Sequence, residues 1–242
     1  MLLYETEDFL LLDKPHNLPT VPLKTQGLEG TLLEQAALLC PEVLKVKGKN
    51  PWEGGALHRL DTATGGLVLF AKTQAVYDAL QVAQENNLFE KYYVAATFEN
   101  YDLKGYDIEE KTGVITISSY FRPFGPGAKE VRPTLDEKKA SPKTLYQTAL
   151  IRNGDSFNCT LTKGFRHQIR AHLAWTGHPI IGDPLYGKTA SESSKVLQLE
   201  CVGVSFPLGL LRHTFVKREA SNLVFTHLCR FANDIGNAII QV

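Results

Sequence analysis

Apolar residues fall in uninterrupted runs in two places along the chain and in helical spacing in others. The runs at 9–12 and 66–71 are typical of strands buried on both faces. Residues 91–98 combine aromatic and β-branched side chains, which also favours a strand. Helical spacing predicts helices over 32–39, before Pro41, and over about 73–84, with Thr73 as the N-terminal cap.

The second half of the chain adds turn signals, further strands and one more helix. A strand is predicted at 114–118, and Asn153-Gly154 predicts the turn of a hairpin between 145–151 and 157–161. A helix is expected from about Arg166 to Trp175, ending at the following glycine. The mixture of strands and helices predicts an α+β fold, and no linker divides residues 1–242 into separate domains.

Composition excludes several classes of protein. With 242 residues and 43% hydrophobic content, the chain can bury a full core without a disulfide or metal. No apolar run approaches the roughly 18 residues of a membrane helix, and the acidic start does not resemble a secretory signal. We therefore expect a cytoplasmic protein without membrane contact. The four cysteines are widely spaced, which indicates buried thiols rather than a zinc site or disulfides.

Charge is balanced, with 26 basic and 26 acidic residues, so any nucleic-acid site must be a local basic patch. The best candidate is the basic, aromatic segment 120–143, whose composition suits contacts with RNA backbone and bases. A solvated surface insertion is the alternative. Its basic and aromatic residues are Arg122, Lys129, Arg132, Lys138, Lys139, Lys143, Tyr120, Phe121 and Phe124.

A compact charged cluster, His58-Arg59-Leu60-Asp61, stands directly before the apolar run at 66–71. This arrangement places Asp61 on a glycine-bounded loop at the edge of a sheet, where catalytic groups are often found. The alternative is an ordinary loop ion pair between Arg59 and Asp61.

Two later segments add basic and turn-forming residues. If 163–173 is helical, Arg166 and Arg170 share one face and could hold a buried carboxylate or a phosphate, although a solvated basic face is an alternative. Residues 177–187 are rich in turn formers and are expected to be scaffolding. The histidines give only a weak indication of a metal site. His167 and His172 are five residues apart, whereas a spacing of four places two ligands on one helical face. His178 and Asp183 do not change that interpretation.

Taken together, these segments resemble the RluA family of RNA pseudouridine synthases. The matching stretches are DKPHNLP at 13–19, HRLDTATGGL at 58–67, KYYVA at 91–95, HQIRAHL at 167–173 and GHPIIGDPLYG at 177–187. They occur in the family's order, over about residues 3–187. The resemblance implies a mixed, mainly antiparallel sheet flanked by helices and loops, with an active-site cleft across it.

The resemblance also assigns catalytic roles. Asp61 matches the family's essential aspartate. Tyr93 matches the tyrosine that stacks on the target base and is a proposed proton acceptor. Arg170 matches the basic residue that forms an ion pair with the aspartate. The chemistry needs no cofactor, because a carboxylate can act as nucleophile or base.

Further residues are implied to bind the substrate. Arg59 is expected to enter the space left by the extruded base, and Ile169 to line the pocket. His58 is expected to shape the loop, and Arg166 and His167 to contact the RNA. The implied partner is rRNA or tRNA, with no metal, bound by a monomer that has no accessory RNA-binding domain before residue 13.

Three departures from the family pattern affect local geometry. Asn17 replaces a glycine, and an asparagine can still adopt a left-handed conformation. Thr64-Gly65-Gly66 replaces T-S-G, and Phe165 occupies a position that is often basic, which puts the phosphate contacts in doubt. Two other functions remain open: an inactive RNA-binding relative, and an aspartate-dependent hydrolase such as a nuclease, which would need more carboxylates for metal.

Overall fold

The structure, a computed structural model, describes residues 1–97, 108–111, 113–187, 196–218 and 238–242. Contacts divide the chain into two compact units. The first unit comprises Met1–Lys91 and Glu200–Val242, and the second comprises Tyr92–Leu199. The expectation of one domain over 1–242 stays a prediction. Within the described ranges, no helix is long and apolar enough to cross a membrane.

The secondary structure alternates strands with a few short helices, as an α+β chain does. The strands are β1 (Leu2–Glu5), β2 (Phe9–Lys14), β3 (Gly65–Ala71), β4 (Glu90–Ala96), β5 (Ile108–Lys111), β6 (Val114–Phe124), β7 (Glu130–Thr134), β8 (Tyr146–Asn153), β9 (Ser156–Leu161), β10 (Leu199–Leu208), β11 (Leu211–Val216) and β12 (Ala238–Gln241). The helices are α1 (Leu32–Leu39), α2 (Gln74–Glu85) and α3 (Gln168–Trp175), with 3₁₀ turns at Pro41–Leu44, Pro126–Ala128 and Glu137–Lys139.

In the first unit the strands follow the order β1-β2-β3-β10-β11-β12. The β1–β2, β2–β3 and β10–β11 pairs are antiparallel, whereas β3–β10 and β11–β12 are parallel. Every residue of β3 and the apolar residues of β2 are buried, which confirms the prediction of central strands. The two predicted helices are also confirmed: Thr31 caps α1, and Thr73 caps α2 by accepting a hydrogen bond from the Val76 N–H.

In the second unit the order is β4-β9-β8-β6, with β5 and β7 both pairing with β6. The pairs β5–β6, β6–β7, β6–β8 and β8–β9 are antiparallel. The predicted hairpin is present as β8 and β9, and Gly154 has the positive φ of 57° that its tight turn requires. Segment 120–143 is more regular than predicted, because β6 extends to Phe124 and returns as β7.

The last helix starts later than the sequence predicts. Arg166 lies outside α3, because His167 has a left-handed backbone with φ of 57° and interrupts the helix just before Gln168. The expectation that Arg166 and Arg170 share one helical face is therefore wrong. The C-terminal end agrees with the prediction, since α3 stops at Trp175 and Gly177 has a positive φ.

Candidate active site

The Asp61 loop in the first unit is held by hydrogen bonds on both sides of the aspartate. The buried Thr20 hydroxyl donates to the Leu60 carbonyl at 2.9 Å and accepts from the Leu60 N–H at 3.1 Å. On the other side, the Thr64 N–H donates to the Asp61 carbonyl at 3.0 Å and closes a turn. The backbone is thus held directly before Asp61 and three residues after it.

A buried ammonium group lies beneath this loop. Lys14 is 1% exposed, and its Nζ donates to three carbonyls: Pro15 at 2.9 Å, Leu18 at 2.7 Å and Thr62 at 3.1 Å. Burial lowers the pKa of Lys14 to about 8, against the opposing attraction of Asp61 and Asp13. Lys14 therefore joins the 13–19 segment to the Asp61 loop and brings positive charge close to Asp61.

The departures from the family pattern have local explanations. Asn17 adopts the left-handed conformation with φ of 63°, as predicted. Gly66 has φ of 111°, and a Cβ there would lie 2.1 Å from the Cys201 carbonyl oxygen, so only glycine fits beside β10. At Gly65 a Cβ would lie 2.6 Å from the His16 ring, whose Nδ1 is 2.7 Å from the Ala63 carbonyl. The glycine pair thus lets His16 and β10 pack closely against the loop.

Arg59 forms an ion pair, but with Glu53. Its guanidinium donates to Glu53 Oε1 at 2.7 Å, and the carboxylate, with a side chain only 7% exposed, also accepts from the Asn50 backbone N–H and side-chain amide. The Arg59 side chain is 56% exposed. The predicted role of Arg59 in filling the space of an extruded base remains a prediction.

His58 is held in its neutral form. Burial, and secondarily the charge of Lys91, lowers the pKa of His58 to about 3. Its Nε2 accepts from the Leu69 N–H at 3.4 Å, and its ring packs 5.7 Å from that of Phe89. These contacts join the loop to β3 and agree with a shaping role rather than with proton transfer.

The second unit contains the remaining predicted site residues. Tyr93 on β4 is 7% exposed, and on α3 Ile169 is 4% and Arg170 is 3% exposed. The Arg170 guanidinium donates through Nε and one terminal nitrogen to the two oxygens of Asp183, at 2.8 and 2.9 Å. The predicted pairing of Arg170 with Asp61 remains a prediction.

Asp183 completes a buried network around Arg170. It is fully buried, and its Oδ1 also accepts from the backbone N–H groups of Leu185 and Tyr186. Burial alone would raise the pKa of Asp183, but the Arg170 guanidinium and the two N–H groups lower it below its ordinary value. The Tyr186 ring lies 5.3 Å from the guanidinium carbon. Arg170 is therefore fixed in its rotamer by groups from the 177–187 segment.

Residues just before α3 contact the β6–β7 hairpin. His167 Nδ1 lies 3.1 Å from the Tyr186 hydroxyl, which also bonds both the N–H and the carbonyl of Val131. Arg166 donates to the carbonyls of Ala128 and Glu130. In this structure Arg166 and His167 therefore hold the hairpin against α3. Their predicted contact with RNA remains a prediction.

The histidines that suggested a metal have other partners. His172 is fully buried, with the hydroxyls of Ser119 and Thr148 at 2.9 and 2.8 Å from its two ring nitrogens, and burial lowers its pKa to about 3. His178 Nε2 lies 3.2 Å from the Arg152 guanidinium. Across the ranges that the structure describes, no three His, Cys, Asp or Glu side chains are grouped as metal ligands would be.

Sequence analysis missed several residues that hold the site in place: Lys14, Thr20, Asp183 and Tyr186. Lysine is rarely buried unless it has partners, so Lys14 after the apolar run of β2 was the available signal. Asp183 was assigned only to a turn. No spacing rule connects it to Arg170, because the contact depends on how residues 177–187 fold back onto α3.

Comparison with known proteins gives a consistent set of relatives. A family model described as RNA pseudouridylate synthase matches residues 8–175. The ribosomal large subunit pseudouridine synthase D of Nitrosomonas europaea is 29% identical over 198 residues, covering 80% of this chain and 51% of that protein. Human pseudouridylate synthase RPUSD2 is 30% identical over 193 residues, covering 78% of this chain and 31% of that protein. The chain thus spans about half of the first relative and about a third of the second.

Solved structures agree on the fold. Human RNA pseudouridylate synthase domain containing 1 superposes with a TM-score of 0.62 at 19% identity, covering 89% of this chain and 81% of that one. Human RNA pseudouridylate synthase domain containing 4 gives 0.59 at 18% identity, covering 98% and 94%. At these identities the likeness concerns the fold, and it confirms the predicted α+β class.

Proposed function

Because the chain belongs to the RluA-type family of RNA pseudouridine synthases, we propose that it isomerises uridine to pseudouridine in RNA, with Asp61 as the catalytic carboxylate. The observation that carries the proposal is the way in which the Asp61 loop is held. Thr20 binds the residue before Asp61 on both its backbone groups, and the buried Lys14 ammonium binds the residue after it. A nucleophile held by such a scaffold needs little reorganisation before it reacts.

The proposed reaction is an isomerisation with no net gain or loss of atoms. The bond from ribose C1′ to uracil N1 breaks, the base rotates, and a new bond forms from C1′ to C5. The hydrogen on C5 then leaves as a proton, and N1 gains one. Asp61 supplies the carboxylate that acts as nucleophile or base, so no cofactor is required.

The second unit supplies the other proposed catalytic groups. Tyr93 would stack on the extruded uracil and accept the C5 proton, and Ile169 would line the pocket beside it. Arg170 would neutralise Asp61, which a carboxylate in a dry pocket needs in order to stay ionised. The bonds from Arg170 to Asp183 support this role, because they hold the guanidinium in one orientation.

For the substrate we propose structured rRNA or tRNA. The name of the Nitrosomonas relative, a ribosomal large subunit pseudouridine synthase, favours rRNA as the first pool to test. A uridine stacked in a helix must be extruded before its C1′ and C5 can be reached. We propose that Arg59 then occupies the vacated space, exchanging its bond with Glu53 for contacts with RNA.

The decisive test is release of tritium from RNA labelled at C5 of uridine. Ribosomal and transfer RNA from cells that lack the gene would be incubated with the wild-type chain, Asp61→Asn and Asp78→Asn, all in the presence of EDTA. Asp78 is an exposed aspartate on α2 in the same unit, so its substitution makes the matched control. We expect release by the wild type and by Asp78→Asn, and none above background by Asp61→Asn.

Each alternative function has its own signature in this experiment. Turnover by a well-folded Asp61→Asn protein would refute the catalytic assignment. RNA binding without tritium release from either pool would favour an inactive RNA-binding relative. Fragmentation of the RNA that stops on addition of EDTA would indicate a metal-dependent nuclease.

A further inference from the structure

A concave groove of about 530 Å³ runs along the second unit between α3 and the β6–β7 hairpin. Small residues on α3, Ala171 among them, leave the space open on one side. Pro133 on β7 faces them. The groove also contains two arginines and the half-buried indole of Trp175, and the proposed catalysis uses none of them. Its polar and aromatic lining includes Arg122, Arg132, Glu130, Trp175 and Tyr186.

The two arginines are placed where like charges are normally avoided. Arg122 on β6 and Arg132 on β7 are direct cross-strand partners. Like charges directly opposite each other on neighbouring strands destabilise a sheet. Both guanidinium groups lie over the ring of Phe124, with their central carbons 5.6 and 3.2 Å from its centroid. The ring holds the two cations on the same side of the hairpin.

Neither arginine has its charge neutralised in the part of the chain that the structure describes. No carboxylate there lies within salt-bridge distance of Arg122 or Arg132. Glu130 is the acidic residue in the groove, and its backbone carbonyl accepts from Arg166. The charges of the whole chain cancel, whereas segment 120–143 has six basic and three acidic residues. The pair is therefore a local concentration of positive charge.

Trp175 supplies a flat apolar surface in the same groove. It is the last residue of α3 and is only half-buried, although tryptophan has much to gain from full burial. A partly exposed indole in the same groove as two arginines offers the two kinds of contact made by single-stranded nucleic acids: stacking of a base and charge-assisted hydrogen bonds to a phosphate.

We propose that this groove binds an unpaired stretch of the RNA substrate, with a phosphate held between Arg122 and Arg132 and a base stacked on Trp175. The inference rests on the proposed function, since it names a second point of contact for the same RNA. A duplex fits the groove poorly, because its bases are stacked on each other and unavailable to an indole. The groove thus selects RNA that has a single-stranded segment near the target uridine.

The first experiment measures binding rather than turnover. The probe is a fluorescein-labelled oligouridylate about twelve nucleotides long, followed by fluorescence anisotropy over a series of salt concentrations. We expect R122Q/R132Q to bind about tenfold more weakly at moderate salt and to lower the slope of log affinity against log salt by about 0.7, the value for one lost phosphate contact on a single strand. K47Q/K49Q removes the same charge from exposed positions in the first unit and should change the affinity by less than about twofold.

The second experiment tests stacking directly. The chain has two tryptophans, so Trp52→Phe leaves Trp175 as the one indole reporter. Binding of the oligouridylate should quench its fluorescence. Trp175→Leu should weaken binding about fivefold or more, whereas Trp175→Phe should retain most of the affinity because a ring remains to stack. Circular dichroism of each variant confirms that it is folded.

The outcomes separate this proposal from the proposed function. Equal losses of oligouridylate affinity in R122Q/R132Q and K47Q/K49Q would overturn the groove assignment. So would Trp175 fluorescence that is not quenched when the oligouridylate binds. Competition by polyglutamate as strong as that by unlabelled oligouridylate would identify an acidic protein segment as the occupant and would also overturn it. Groove-dependent binding without any tritium release would contradict the proposed function alone.

Discussion

Single residues at the candidate site include charged groups that the fold has removed from water. Lys14 and the Arg170–Asp183 pair are each at most 3% exposed, and each makes several hydrogen bonds. Isolated buried charges are costly, so their value lies in holding neighbouring groups in a fixed arrangement. Lys14 does this for the Asp61 loop, and Asp183 does it for Arg170.

Substitution of Lys14 by methionine should destabilise the first unit. Methionine fills a similar volume but leaves the carbonyls of Pro15, Leu18 and Thr62 without their buried donor. We expect a loss of about 3 kcal/mol in the free energy of unfolding, measured by urea denaturation. Lys45→Met, at a side chain that is 78% exposed, should change it by no more than about 0.5 kcal/mol.

The difference in stability between the wild type and Lys14→Met should also depend on pH. Burial lowers the pKa of Lys14 to about 8 from an ordinary value of 10.5. Between these values the unfolded chain binds more protons than the native one, so native stability rises with pH. The wild type should therefore gain stability relative to Lys14→Met as pH increases from about 8 to about 10.5. A constant difference across that range would show that Lys14 is not the titrating group.

Asp183→Asn should destabilise the second unit by about 3 kcal/mol, because it removes one charge of a buried, bidentate pair. Because the pKa of Asp183 is lowered in the native state, its ionised carboxylate contributes to the free energy of unfolding at pH values above the unfolded pKa of about 4. This contribution is lost as the pH falls through the lower native pKa. Urea denaturation at neutral pH measures the loss. A change as small as that of the exposed Asp78→Asn would contradict this account.

At the residue scale, sequence analysis singled out the candidate catalytic residues but not the residues that hold them in place. Asp61 and Arg170 stand in short motifs whose spacing is visible in the chain. Thr20 lies 41 residues from Asp61, and Asp183 lies 13 residues from Arg170. Thr20 bonds to Leu60 and Asp183 bonds to Arg170 only once the backbone has folded, so no spacing in the sequence reveals them.

At the scale of elements, local patterns predicted the three described helices and six of the twelve described strands. β2, β3, α1, α2 and the β8–β9 hairpin lie where apolar runs, caps and Asn-Gly indicate them. The errors occur where a tertiary contact decides the boundary. His167 takes a left-handed conformation while its ring contacts Tyr186, so α3 begins two residues later than expected. β6 extends to Phe124 because β7 pairs with it.

Gly66→Ala tests the junction between two elements, β3 and β10. The added Cβ would lie 2.1 Å from a backbone oxygen that cannot move without breaking the parallel pairing, and φ of 111° adds strain. We expect a loss of at least about 3 kcal/mol or a failure to fold. Gly27→Ala, which meets no atom within 4 Å, should be tolerated. Thermal denaturation of both variants makes the comparison, and similar melting temperatures would contradict it.

At the scale of the whole molecule, burial holds His58 neutral in the first unit and His172 neutral in the second. Burial lowers both pKa values to about 3, far below the ordinary 6.5. In that interval the unfolded chain binds more protons, so stability must fall as pH falls. The two units therefore share a sensitivity to acid.

We expect the free energy of unfolding to decrease below about pH 6.5 by about 1.4 kcal/mol per pH unit for each histidine. Urea denaturation at a series of pH values measures this slope. His58→Gln and His172→Gln should each reduce the slope by that amount, whatever they do to stability at neutral pH. An unchanged slope in both variants would refute the assignment of the acid sensitivity to these residues.

The contact between Tyr186 and Val131 has a consequence for solubility. Strand β7 pairs with β6 on one side, and its other edge could template the addition of a foreign strand. Tyr186 occupies both the donor and the acceptor of Val131 on that edge, and Pro133 two residues later has no N–H to offer. At these two positions the edge of β7 therefore has no N–H available to pair with a strand of another copy of this chain. Tyr186, whose backbone N–H bonds the carboxylate that holds Arg170, thus also covers this part of the β7 edge against strand addition.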